Sequence, residues 1–347
     1  MKKLFVLFVS ALLSANGCIV NAQSQERTPF LTRTFPASSI KEVECATAGG
    51  SITLTGDAGS QAKVEVYVSH NEWSADKIKK ALEANYDLNI KVESGKLYVE
   101  AKPKNYYMSN WNQNGLNISF NISVPKQVNS SLQTTGGSIH ISDLSGSQNF
   151  STSGGSLTVE NISGNMVGRT SGGSITVTGS NGNIDLSTSG GSVTANDCRG
   201  KIDLKTSGGS LTMNNLNGTV NASTSGGSIT ANNISGTFKT GTSGGSVRLG
   251  NISGNLEAST AGGSMDVTMK STSDYVKLSN IGNINLTLPA AGKGYNLNVK
   301  GNKVENIFTT PKNFIGQSDD SSIEGTIDGG GTAVTVKSSQ RIRLSFE

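Results

Sequence analysis

The chain has 347 residues and a net charge of +4, with only 16% of its residues charged. That leaves no basic patch of the kind that tracks nucleic acid. Its 43 glycines and 5% aromatic content would suit a disordered chain, but strict apolar/polar alternation over most of the length excludes one.

Residues 1–22 read as a signal peptide. Lys2 and Lys3 precede the apolar run Leu4 to Leu13, which is too short to span a bilayer. Val20-Asn21-Ala22 fits cleavage before Gln23. The alternative is Ala15-Asn16-Gly17-Cys18, a degraded lipobox, where lipidation of Cys18 would anchor the protein. Both routes take the chain out of the cytoplasm, to the periplasm or the cell surface. No later stretch is long and apolar enough for a transmembrane helix. Loss of Lys2 and Lys3 lowers the net charge to +2, with 27 basic residues against 25 acidic.

Residues 23–132 form an N-terminal region. A polar lead-in runs to about residue 34. Val43, Cys45 and Thr47 then precede Gly49-Gly50, with Ile52 and Leu54 after it, in the pattern of a first repeat. An insertion follows. Ala62 to Val68 is a strand. Ser74 is an N-cap for a helix over 75–86, with Ile78, Ala81 and Leu82 on its apolar face. Leu88 to Val92 and Lys96 to Ala101 make a hairpin, and Leu116 to Val124 alternates back into the repeats. The insertion is expected to cap one end of a stack, because exposed sheet edges need covering.

Residues 133–268 hold one motif written eight times. Thr-Thr-Gly-Gly-Ser at Thr134 is followed by Thr-Ser-Gly-Gly-Ser at Thr152, Thr170, Thr188, Thr206, Thr224 and Thr242, then by Thr-Ala-Gly-Gly-Ser at Thr260. The spacing is 18 residues throughout, the mark of a repeat architecture. Each repeat carries two short alternating strands and two Gly/Asn corners. A unit this small cannot bury its own apolar face, so the repeats must stack. Read every 18 residues, Leu157, Ile175, Val193 and Leu211 form one inward column, Val159, Val177, Ala195 and Met213 a second, and Met166, Ile184, Ile202 and Val220 a third. The Thr152 to Thr260 column is also expected to face inward. Asn161, Asp197, Asn215, Asn233 and Asn251 stack at one corner and Gly146 through Gly254 at the other. The fold expected is all-β: a right-handed parallel β-solenoid of 18-residue coils, capped N-terminally by the small α+β insertion. Eight coils make a rod on the order of 38 Å long. Residues 269–347 are degenerate coils and a C-terminal cap.

The Gly-Gly-Ser-Ile-Thr-Val strand followed by Asn-Ile-Ser-Gly, repeated from about Phe35 to the end, resembles the bacterial "putative adhesin" family of envelope β-solenoid domains. The resemblance implies an exported β-solenoid. It carries over no catalytic residues.

The candidate sites follow. Cys45 and Cys198 fall in buried positions several repeats apart, too distant for a disulfide. The Gly-Gly repeats lack the Asp of calcium-binding β-rolls, having Val159, Val177 or Met213 in its place, and His70 and His140 stand alone, so no metal or cofactor is expected. Asp185 and Asp203 share an outward column at about 5 Å, a retaining glycosidase's separation, yet Lys201 and Lys205 beside them suit a solvated patch, and no catalytic residue is assigned. Thr158, Thr176, Thr194, Thr212 and Thr230 form a flat outward ladder beside Ser156, Ser174, Ser192, Ser210 and Ser228. Exposed strands favour Thr in any case. The array also suits contact with glycan, protein or, less well, ice. Tyr106, Tyr107 and Trp111 lie in a polar loop and suit stacking on sugars or packing as part of the cap. The ladder and these three rings are the ligand-binding candidates.

The function expected is a non-enzymatic, exported, adhesin-like envelope protein. Its flat Ser/Thr face and aromatic loop would bind glycan or an envelope or host protein. The alternative is a periplasmic scaffold with a dedicated protein partner. A polysaccharide-active enzyme and an ice-binding protein are weaker readings.

Overall fold

The structure, a computed structural model, describes residues 28–57, 59–104, 115–290, 293–307 and 313–347. Residues 1–22, read as a signal peptide, with Cys18, and Tyr106, Tyr107 and Trp111, lie outside the described residues. The fold is all-β and mostly parallel. Among the described residues the strands join one sheet, accompanied by one α-helix, Ala75–Asn85, and one 3-10 turn, Ala37–Ser39.

The 18-residue period becomes strand register. Leu157 pairs with Ile175, Ile175 with Val193, Val193 with Leu211 and Leu211 with Ile229, all parallel. In the second strand of each repeat, Met166 pairs with Ile184, Ile184 with Ile202 and Ile202 with Val220. Because side chains alternate along a strand, identical register puts every apolar side chain of a column on one side. Those columns are buried and form a continuous core. Each Leu or Ile so buried contributes about 1.5–3 kcal/mol. One column departs from bulk: Gly168 lies across from Phe150, whose ring fills the space that a Gly168 Cβ would enter.

The corners are fixed by backbone conformation. Asn161, Asp197, Asn215, Asn233 and Asn251 all have φ between 54° and 57°, which Asn and Asp tolerate better than other side chains. Their amides also bond along the stack, Asn215 to Asp197 at 2.9 Å, Asn233 to Asn215 at 3.0 Å and Asn251 to Asn233 at 3.2 Å. From Leu211 onward the strands pair through this corner as single runs, such as Leu211–Ser223 and Ile229–Thr242. The Asn-rich stretch, which reads as a turn, is thus part of the ladder, and Asn215 and Gly218 with their equivalents have positive φ three residues apart in it, so the Asn and Gly columns expected at opposite corners lie at the same one.

The inward Thr column joins repeat to repeat. Thr170 Oγ1 donates to the carbonyl of Gly155 at 2.8 Å and accepts the N–H of Gly173 at 3.3 Å. The same pair of bonds recurs at Thr188 and Thr206 and on to Thr242.

At the N-terminal end, Val43–Cys45–Thr47 pairs in parallel with Ser130–Leu132–Thr134. Outside it lie the parallel strands Lys96–Pro103 and Asn117–Pro125. Antiparallel strands close that end: Tyr86–Glu93 on Lys96–Pro103, Gln61–Ser69 on Asn117–Pro125, and Leu31–Pro36 on Gln61–Ser69. The polar lead-in is therefore in part an edge strand, Leu31–Pro36. Its exposed Thr32, Arg33 and Thr34 suit an edge and conceal it in the sequence. The helix packs Leu82 into the core, with Ile78 and Ala81 against it. Ser74 stands at its N-cap position with extended backbone, but its side chain makes no capping bond.

At the other end, space and sequence order part. Thr332–Ser338 pairs with Met265–Asn280 on one side and with Tyr295–Lys300 on the other. Tyr295–Lys300 is then covered by antiparallel Ser322–Ile327, and that strand by Phe314–Ser318. The last strands of the chain are thus enclosed by earlier ones.

Candidate functional site

Most polar side chains of the repeats are consumed by the scaffold. The inward threonines join the corners, the Asn column bonds along itself, and the serines after each Gly-Gly pair are engaged as well. Ser138 Oγ accepts the N–H of Ser156, Ser174 that of Ser192, and Ser192 that of Ser210, at 3.1–3.3 Å. The Ser column, which reads as part of a free hydroxyl face, is thus tied to backbone through its acceptor side.

What remains is the Thr column. Burial of Leu157 and Val159 turns Thr158 outward, and the same alternation turns out Thr176, Thr194, Thr212 and Thr230. These five are partners in parallel register, so they repeat at about 4.8 Å. Among the described residues none of the five hydroxyls has a protein hydrogen-bond partner. His140 pairs with Thr158 at one end of the run and Arg248 with Thr230 at the other.

The column continues past His140 to Thr53 and on to Asn121. There the flat face becomes a cleft of about 750 Å3, lined by Ser51, Thr53, Glu65, Tyr67, Ser119 and Asn121 among others. Antiparallel pairing creates it: Gln61–Ser69 sets Glu65 opposite Asn121 and Tyr67 opposite Ser119, and Thr28-Pro29 forms a wall. Glu65 is the hub. Its Oε2 accepts from Asn121 Nδ2 at 3.1 Å and from the Tyr67 hydroxyl at 3.3 Å, and its Oε1 pairs with Lys63 Nζ at 2.9 Å. The Tyr67 phenol is pushed up, first by desolvation and then by the Glu65 charge. Lys63 is raised, chiefly by its hydrogen bond to Glu65. Sequence reading missed this site. The outward alternation of Lys63, Glu65, Tyr67 and Ser69 was a signal, but the antiparallel partner that places Asn121 beside Glu65 was not.

On the second-strand face Asp185 and Asp203 are register partners. Asp185 is paired with Arg169, and Asp203 accepts from Asn221 at 2.9 Å. Cys45 and Cys198 are buried free thiols, and burial pushes both up. Among the described residues no three His, Cys, Asp or Glu converge on a point, and no helix is long and apolar enough to cross a membrane.

No family model and no curated protein matches the chain. Solved structures do. One is described as a putative cell adhesion protein from Clostridium sporogenes, at 12% identity and TM-score 0.20, covering 91% of this chain and 98% of that one. A putative adhesin from Bacteroides fragilis matches at 16% identity and TM-score 0.31, over 74% of this chain and 96% of its own. A putative adhesin from Parabacteroides distasonis matches at 12% and 0.32, over 90% and 96%. Two of these descriptions carry the words "putative adhesin" of the resemblance named above.

Proposed function

We propose that the chain is an exported, non-enzymatic, adhesin-like protein of the bacterial envelope that binds glycan or protein through its threonine face. It is built as a right-handed parallel β-solenoid of 18-residue coils over residues 133–268, with residues 23–132 and 269–347 covering the ends. The parallel register at an offset of 18 supports the coil, and the handedness follows from the rule for crossovers between parallel strands. The observation that carries the binding reading is the contrast between hydroxyl columns. Thr170 and its equivalents, and Ser138 and its equivalents, are engaged in joints, whereas Thr158 to Thr230 are outward, evenly spaced and, among the described residues, without protein partners. An array of free hydroxyls on a rigid sheet can both donate to and accept from a polyol or a peptide backbone. The non-enzymatic reading is supported by Asp185 and Asp203, each of which is held by a neighbouring side chain.

The test is a combined Thr176→Val, Thr194→Val and Thr212→Val variant. Valine keeps the shape and the strand preference. The variant should fold as the parent does and lose binding to immobilised envelope polysaccharide and host glycoprotein. Undiminished binding of both would overturn the reading.

A further inference from the structure

The cleft around Glu65 and Tyr67 has a chemistry of its own. Thr53 and Ser69 carry hydroxyls with no protein partner among the described residues. Ser51 Oγ and Ser119 Oγ accept backbone N–H groups from Ser138 and Ser51, which leaves each hydroxyl hydrogen free to donate. Asn121 gives one amide hydrogen to Glu65 and keeps its carbonyl oxygen. Glu65 receives three donors, which fixes a half-buried carboxylate with acceptor capacity to spare. Donors and acceptors are therefore interleaved over a small concave surface, with Tyr67 adding an aromatic one. The volume falls in the ordinary range of ligand pockets.

This set discriminates between ligand classes. Among the described lining residues there is no lysine or arginine, and the adjacent Lys63 is already paired with Glu65 Oε1 at 2.9 Å, so a phosphate or sulfate would meet a carboxylate and a cation that the carboxylate neutralises. A lipid chain needs an apolar floor, but Ile52, Leu54, Val64, Val66, Phe120 and Ile122 are all turned inward and buried. A sugar hydroxyl donates and accepts at once, and a pyranose ring presents C–H groups that pack on an aromatic side chain.

We infer that this cleft binds the end of a neutral saccharide chain. It rests on the glycan-binding reading of the threonine face and deepens it. Thr53 lies in the same column as Thr158, with His140 between them, so a chain seated in the cleft by its terminal unit can run on along the hydroxyl ladder. The cleft would set which sugar is held and the ladder how strongly a long chain is held.

The experiment uses the full chain without residues 1–22. Its probes are an array of neutral, sialylated and sulfated oligosaccharides, phosphatidylcholine vesicles, and immobilised host glycoprotein stripped of its sugars. Neutral oligosaccharides should bind. Tyr67→Ala, Asn121→Ala and Thr53→Val should each weaken that binding about tenfold, the equivalent of one lost polar or stacking contact. Thr53→Val, which removes only an outward hydroxyl, keeps the test sound if Tyr67→Ala fails to fold. The inference is overturned if only sulfated or sialylated sugars bind, if only vesicles bind, or if the three cleft variants bind as the parent does. Neutral-sugar binding lost on Thr176→Val and Thr212→Val, but kept in the cleft variants, sinks the cleft and leaves the face standing. So does binding to stripped protein alone. Binding to no probe sinks both.

Discussion

The hydroxyl of Thr206 donates to the carbonyl of Gly191, fifteen residues earlier, at 2.7 Å, and accepts the N–H of Gly209 at 3.2 Å. One side chain therefore closes its own corner and bonds that corner to the repeat before it. The joint runs along the stack from Thr47 and Thr134 at one end, with substitutes at the C-terminal end. Asn280 takes the place of Thr on the carbonyl of Gly263, and Ser338 does so on Gly282.

Removing that hydroxyl without changing the volume isolates its worth. Thr206→Val should destabilise the chain by about 1–3 kcal/mol, because a near-buried carbonyl loses its donor. Thr206→Ser, which keeps the bond, should cost less. Denaturant midpoints of the two variants and the parent check the order. Equal midpoints for Thr206→Val and the parent would contradict the joint.

Two positive-φ positions three residues apart in one run, Asn215 and Gly218, should respond differently to substitution. Gly218 has φ of 126°, and a Cβ there would stand 2.1 Å from the carbonyl oxygen of Gly200. Gly218→Ala should cost at least about 1–3 kcal/mol of backbone strain before the overlap is relieved. Asn215→Gly keeps the left-handed backbone and loses only the side-chain bonds along the Asn column, about 1 kcal/mol. Thermal unfolding should place Gly218→Ala well below Asn215→Gly.

Two neighbouring positions define the inward and outward sides. Leu211 is fully buried and Thr212 exposed. Leu211→Asp should cost several kcal/mol, about 4 or more, as an unpaired carboxylate enters the core. Thr212→Asp should stay within about 0.5 kcal/mol of the parent. Chemical denaturation of the pair reads the faces directly, and a tolerated Leu211→Asp would reverse them.

Acid should loosen the turn at Asp319 late. Its Oδ1 accepts the N–H groups of Ser321 and Ser322, each at 2.7 Å. These bonds, with those from the two serine hydroxyls, pull its pKa from 3.8 down to about 2. A depressed folded-state pKa means that the turn's contribution is present above pH 3.8 and lost as pH falls through about 2. Carboxyl chemical shifts of Asp319 should titrate near 2. A midpoint near 3.8 would mean that the turn is not formed in solution.

The repeat register was legible because a period of 18 and a side-chain period of two leave one way to bury Leu157, Ile175 and Val193 together. The Thr and Asn columns were legible for the same reason. The edge strand Leu31–Pro36 was not: an exposed edge needs no apolar alternation, and its partner begins at Gln61 in antiparallel sense. Nor was the placing of Tyr295–Lys300 beyond Thr332–Ser338, since stacking order at an end is not written in chain order. The cleft needed both kinds of information. Glu65 and Asn121 lie 56 residues apart and meet only through the antiparallel pairing of their strands.

The most direct measurement is protease treatment of intact cells that produce the protein, followed by its detection in washed cells and in cells whose outer envelope has been opened. The account predicts removal from intact cells, because a binding face for foreign glycan or protein must stand outside. Protection until the envelope is opened would contradict adhesion and turn the threonine face toward a partner within the envelope.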